Sequence, residues 1–145
     1  MLDALSRLFS ASKPAPAPHD PKLAVAALLV HLAAVDGSFS AKERNAVRSA
    51  LIEHYGLDGA DVDNLIAHAQ RADAEAVDFY KFTSSLSNLD GQERVEIVRL
   101  MWQVVFADGR NHEMEDNMVW RIAELIGVSA RDRTVLRNQI GREAQ

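Results

Sequence analysis

The sequence predicts an all-α fold. Three observations lead there: apolar residues recur with helical period, Gly and Asp or Ser punctuate the runs as helix stops and caps do, and few runs alternate in strand fashion. The apolar stripes Val47, Ala50, Leu51 and Val119, Ile122, Ala123, Ile126 are the clearest instances. With 145 residues, 48% hydrophobic and 26% charged, the chain is long and apolar enough to bury a core as one compact domain. Cysteine is absent, which excludes disulfides, thiolate metal sites and cysteine nucleophiles and leaves oxygen and imidazole to do any chemistry. The net charge of −5 disfavours a phosphate backbone as partner and suits a cation or a basic surface, so nucleic acid is not expected as a ligand.

Residues 1–10 carry Leu2, Leu5, Leu8 and Phe9 at helical spacing. An isolated helix needs roughly 12–15 residues in water, so this short amphipathic segment is expected to bind a partner, either a protein groove or a membrane surface. Arg7 offset by Asp3 gives it little attraction to anionic lipid. Residues 11–21 form a Pro/Ala-rich linker holding Pro14, Pro16, Pro18 and Pro21, and residues 22–145 form the helical domain. Leu23 to Val35 is apolar except for His31, but thirteen residues at ~1.5 Å each fall short of a ~30 Å hydrocarbon core. No basic region precedes the run as in a signal peptide, and it reads as a buried helix. The expected helices span 22–35, 41–55, 59–70, 74–87, 91–107, 113–126 and 130–142.

An offset of 72 residues lays Asp36-Gly37 over Asp108-Gly109, Glu43 over Glu115 and Val47 over Val119. After one gap, Gly56-Leu57-Asp58 matches Gly127-Val128-Ser129 and Asp61 matches Asp132. Each copy therefore reads as helix, DG loop, helix, glycine stop, capped helix. The expected architecture is two pseudo-repeated helix–DG loop–helix units packed around the apolar helices that enter the loops.

Asp-Gly occurs four times, but only the first and last copies have a Glu seven residues after the Asp. In DG-x5-E those residues take the fifth, sixth and twelfth places of an EF-hand loop, where Asp and Glu coordinate Ca²⁺ and Gly makes the turn. The first and third ligand places fall on Leu32 and Ala34 in one copy and on Val104 and Phe106 in the other, which rules out a true EF-hand. One loop offers two carboxylates, too few for the six to eight oxygens of Ca²⁺. Asp36, Glu43, Asp108 and Glu115 together would make a hard-cation site for Ca²⁺, Mg²⁺ or Mn²⁺. His112, Glu113 and Asp116 are second-tier candidates beside it. The competing reading is local: Ser40 caps a helix, Glu43 completes an S-x-x-E box, and a carboxylate near a helix N-terminus gains about 0.3–1 kcal/mol in any case.

These DG-x5-E loops, the apolar helices entering them, and the Gly56-Leu57 and Gly127-Val128 stops resemble the TerB tellurite-resistance family, related to the N-terminal domain of the DjlA co-chaperone. The resemblance covers roughly residues 22–142. It implies an all-helical, non-enzymatic domain of bacterial stress-response assemblies near the membrane, with metal-binding acids that fall here on Asp36, Glu43, Asp108 and Glu115. The sequence departs from that pattern at Arg110, after the second DG, and at Lys42 and Arg44, which flank Glu43. Lys42 and Arg44 neutralise the first loop, whereas the second sets Asp108, Glu113, Glu115 and Asp116 against Arg110 alone and is the stronger expected cation site.

His31 is expected to be a hydrogen-bonded core residue, and Trp102 and Trp120 are expected to pack rather than stack on a ligand. Arg131, Arg133, Arg137 and Arg142 make the last helix basic, through solvation or through contact with acids. No nucleophile elbow, P-loop, dinucleotide fingerprint or E-x-x-H pair occurs, so neither hydrolase nor di-iron chemistry finds support. The expectation is a cytoplasmic, non-enzymatic domain with a protein partner, a divalent cation and no organic cofactor. Its alternative is a metal-free interaction module whose acids serve as helix caps.

Overall fold

In a computed structural model, the described residues are 20–34, 39–75, 80–107 and 113–143, excluding the side chains of Glu75, Tyr80, Lys81, Glu113 and Met114. They form seven helices and no strand: α1 (Pro21–Ala33), α2 (Ala41–Tyr55), α3 (Gly59–Glu75), α4 (Tyr80–Leu86), α5 (Gly91–Val105), α6 (Glu113–Leu125) and α7 (Ala130–Glu143). No described helix is long and apolar enough to cross a membrane.

Helix α1 is the axis of the molecule. It begins one residue into what the composition suggested was linker, because Pro21 takes the first helical position, where its missing N–H costs nothing, and Asp20 caps it by accepting from the Lys22 N–H at 2.9 Å. Ala24 to Val30, Leu32 and Ala33 are all buried, so α1 is apolar all round, as a helix surrounded by others must be. It packs against α2, α3, α4, α5 and α6. The second apolar helix, α5, packs on α1, α2, α6 and α7 and buries Ile97, Val98, Met101 and Trp102.

The remaining helices each present one stripe to this pair. Val47, Ala50 and Leu51 on α2 are buried, as are Val119, Ile122 and Ala123 on α6 with Ile126 just beyond it. Both stripes are those that the periodicity marks. On α3 the buried set Val62, Leu65, Ile66 and Ala69 repeats at i, i+3, i+4, i+7. Helix α3 runs to Glu75 rather than stopping at 70, so residues 74 and 75 belong to it and not to the next helix, described over Tyr80–Leu86. Residues Arg71 to Glu75 contain no Gly or Pro and several strong helix formers, so nothing local ends the helix at 70.

The helix ends are set by side chains at the predicted places. Gly56 (φ 66°) and Gly127 (φ 85°) take the left-handed conformation that closes α2 and α6. After Gly127 the Val128 N–H bonds back to the Ala123 carbonyl at 2.9 Å, a Schellman closure. Asp58 accepts from the Asp61 N–H at 2.7 Å at the start of α3, and Ser129 accepts from the Asp132 N–H at 3.1 Å at the start of α7. The same local chemistry thus recurs at sequence-matched positions. α1 ends at Ala33 and α5 at Val105, an offset of 72.

Candidate functional site

The helices that follow the two DG-x5-E loops, α2 and α6, both pack on α1. Each carries its motif glutamate as its third residue, Glu43 on α2 and Glu115 on α6. Among the described residues these are the two buried carboxylates, 6% and 2% exposed. Buried carboxylates are rare unless paired or ligated, because removing the charge from water is costly. Their depth follows from the helix register. Glu43 precedes Val47 by four residues and Glu115 precedes Val119 by four, so each acid lies on the core-facing stripe of its own helix.

Glu43 divides its two oxygens. The Ser40 hydroxyl accepts from the Glu43 backbone N–H at 3.1 Å and donates to Glu43 Oε1 at 2.8 Å. The cap expected of an S-x-x-E box is therefore present, with the glutamate holding the serine hydroxyl. Glu43 Oε2 is buried and has no hydrogen-bond partner among the described residues. A buried acceptor left unpaired costs about 1–3 kcal/mol, and more when charged, so capping alone does not account for this carboxylate. An oxygen of this kind is satisfied by a cation, by water or by a proton.

On α6, Asp116 follows Glu115 and accepts from Arg137 Nε at 2.9 Å, an ion pair between side chains 24% and 28% exposed. The guanidinium also lies 5.6 Å from the Trp102 ring centroid and 5.8 Å from that of Phe106. One turn earlier on α7, Arg133 donates from Nη1 to the Trp120 carbonyl at 3.1 Å and sits 5.1 Å from the Trp120 ring centroid. Of the two readings of the basic last helix, Arg137 follows the contact with acids, Arg133 binds a carbonyl and a ring instead, and Arg131 and Arg142 are exposed. Trp102 is fully buried and packs edge-on against Trp120 at 6.4 Å, so both tryptophans belong to the packing between α5, α6 and α7.

Asp36, Asp108 and His112 lie outside the described residues, as do the side chain of Glu113 and the N-terminal Leu2, Leu5, Leu8 and Phe9. Among the described residues there is no group of three or more His, Asp or Glu placed to hold a metal ion. His31 is hydrogen-bonded as expected, through Nδ1 to Asp73 Oδ1 at 2.8 Å, but the pair is half-buried rather than in the core. The partner comes from α3, 42 residues away, which inspection of neighbouring positions on α1 does not reveal. The Arg137–Asp116 pair was equally hidden. Its one sequence signal is the i,i+4 spacing of Arg133 and Arg137, which puts both on one face of α7.

The chain was compared with known proteins. The family model described as Tellurite resistance protein TerB matches residues 22–138. Comparison with curated proteins gives no match, and comparison with solved structures gives none.

Proposed function

The chain belongs to the TerB family, a tellurite-resistance-associated group, and from that premise we propose that it acts without catalysis, as a helical domain whose acidic helix starts hold a divalent cation. The observation that carries this reading is the buried Oε2 of Glu43, which has no hydrogen-bond partner among the described residues although Oε1 is already used by Ser40. Asp36 and Glu43 from the first loop, with Asp108 and Glu115 from the second, are an all-oxygen donor set. Such donors favour Ca²⁺, Mg²⁺ or Mn²⁺ over softer ions. A bound cation supplies positive charge to a carboxylate that the helix start orients through its backbone N–H and the Ser40 hydroxyl. The same acids suit a basic surface on a partner protein.

Calorimetric titration of the purified chain with Ca²⁺, Mg²⁺, Mn²⁺ and Zn²⁺, repeated on Glu43→Gln and Glu115→Gln, tests the reading. Saturable heat with a hard cation that is lost in the variants, whose circular dichroism stays helical, is the expected result. A wild-type chain that takes up none of the ions overturns it.

One observation favours a second reading, a metal-free interaction module. The Ser40–Glu43 pair already works as a helix cap. On that reading, Glu43→Gln lowers the unfolding midpoint modestly and added cation changes nothing in either protein.

A further inference from the structure

We infer that the N-terminal segment holding Leu2, Leu5, Leu8 and Phe9 docks in cis along the uncovered face of α5, over Phe106 and Ile140, in the place that α4 takes on α1. Residues 1–19 lie outside the described residues; the surface that receives them lies within. The two halves pack alike up to one helix. At the 72-residue offset α1 matches α5, α2 matches α6 and, after the gap, α3 matches α7. Helix α1 packs on α2 and α3 as α5 packs on α6 and α7, and α1 touches α6 as α5 touches α2. Helix α4 lies on α1, and no described helix lies on α5 in that way. The side chains of α5 register the difference. Ala24 and Ala27 of α1 are buried, whereas the matching Glu96 and Arg99 of α5 form an ion pair at 3.4 Å with side chains 39% and 29% exposed.

Gln92, Glu96, Arg99, Gln103 and Phe106 follow one another at intervals of three or four, so they share one face that runs ~21 Å along the helix. A hollow lies at each end of it. Asp90, Glu93 and Glu96 line the first. Gln103, Phe106 and Ala107 line the second with Ile140 and Glu143 of α7, around a volume of about 300 Å³. The chain enters α1 beside the first hollow. Lys22 Nζ lies 5.8 Å from the Tyr55 ring centroid, and the charges of Glu93 and Asp20 both bear on the Tyr55 hydroxyl. His54, next to Tyr55, sits 3.6 Å from Glu93.

Residues 11–19 contain Lys13 and His19 and no acid, which suits a path past Asp90, Glu93 and Glu96. Nine residues at the ~3.1 Å rise that proline favours span ~28 Å, enough to carry residue 10 along the whole face to the second hollow. There Leu2, Leu5, Leu8 and Phe9 meet Phe106 and Ile140. The acids of both hollows turn an anionic lipid surface away, which leaves the groove to the chain's own segment. Tethering supplies an effective concentration of about 1 mM, so even a millimolar affinity keeps the segment docked about half the time.

The chain has no cysteine, so Ser10→Cys in the full-length protein carries a single nitroxide label beside the segment. The amide signals of Gln103, Phe106, Ala107 and Ile140 are expected to lose about half their intensity or more. Losses along α3, which packs on α1 and α2, should be several-fold smaller. Adding Leu5→Asp and Leu8→Asp, which change the segment alone, should abolish the contrast while circular dichroism stays helical. Nitroxide-bearing chain mixed with isotope-labelled chain that carries no nitroxide should show no loss. Losses centred elsewhere, or losses that survive Leu5→Asp with Leu8→Asp, overturn the inference. Losses in the mixture overturn it too, because the groove would then hold a second copy. So does their disappearance on adding phosphatidylglycerol vesicles, because the segment would then prefer a membrane.

Discussion

The glycines that end α2 and α6 offer a controlled test of how this fold is held. Gly56 and Gly127 match in the repeat, and both have positive φ, 66° and 85°, so alanine at either place pays the left-handed penalty of about 1–2 kcal/mol. Their surroundings differ. A Cβ on Gly56 meets nothing within 4 Å, whereas one on Gly127 falls 2.8 Å from Arg94 Nη1. That nitrogen donates to the Ile126 carbonyl at 3.1 Å, tying the first turn of α5 to the open end of α6. The tip of an arginine can move aside, so the clash itself is cheap. What is lost is a hydrogen bond from a charged donor to a part-buried carbonyl, worth about 1.5–3 kcal/mol. Gly56→Ala is therefore expected to cost about 1–2 kcal/mol and Gly127→Ala about 2.5–5 kcal/mol. At roughly 3 °C per kcal/mol for a chain of this length, the two midpoints should separate by about 5–9 °C in thermal unfolding followed by circular dichroism. In an Arg94→Ala background the extra cost of Gly127→Ala should vanish. Equal costs for the two glycines, or a Gly127→Ala cost that Arg94→Ala leaves unchanged, would refute the reasoning.

Two further outcomes are expected beside the titrations already described. The Tyr55 hydroxyl is pushed well above its usual range, first by burial and then by the negative charges of Glu93 and Asp20, so the folded chain keeps its proton where the unfolded chain loses it. The stabilisation is full below the ordinary tyrosine value of about 10 and is lost as pH rises beyond it; urea midpoints should fall more steeply above that pH for wild type than for Tyr55→Phe. Leu28, fully buried on the central helix, should cost about 3–5 kcal/mol as Leu28→Ala, read from chemical denaturation, and a loss under about 1 kcal/mol would contradict the placement of α1 at the axis.

Much of this protein was legible along the chain because the information is local. Helix period, glycine stops and the Asp58, Ser40 and Ser129 caps act over four residues or fewer, and the structure uses them as read. The apolar run of α1, interrupted by His31 alone, told its own fate, since a helix with so little polar surface must be enclosed. The same locality failed inside α3, where no residue carries a stop signal and the helix continues past residue 70 to Glu75. The buried glutamates stand between the two cases. Their spacing from Val47 and Val119 puts them on the inward stripe, a fact present in the sequence, but only the assembled helices around α1 bury Glu43 Oε2 without a partner among the described residues. The pairs His31–Asp73, Arg94–Ile126 and Arg137–Asp116 join residues 42, 32 and 21 positions apart. No periodicity selects such partners, because each exists only where two helix surfaces meet, and the contact between those surfaces is set by the summed packing of the core.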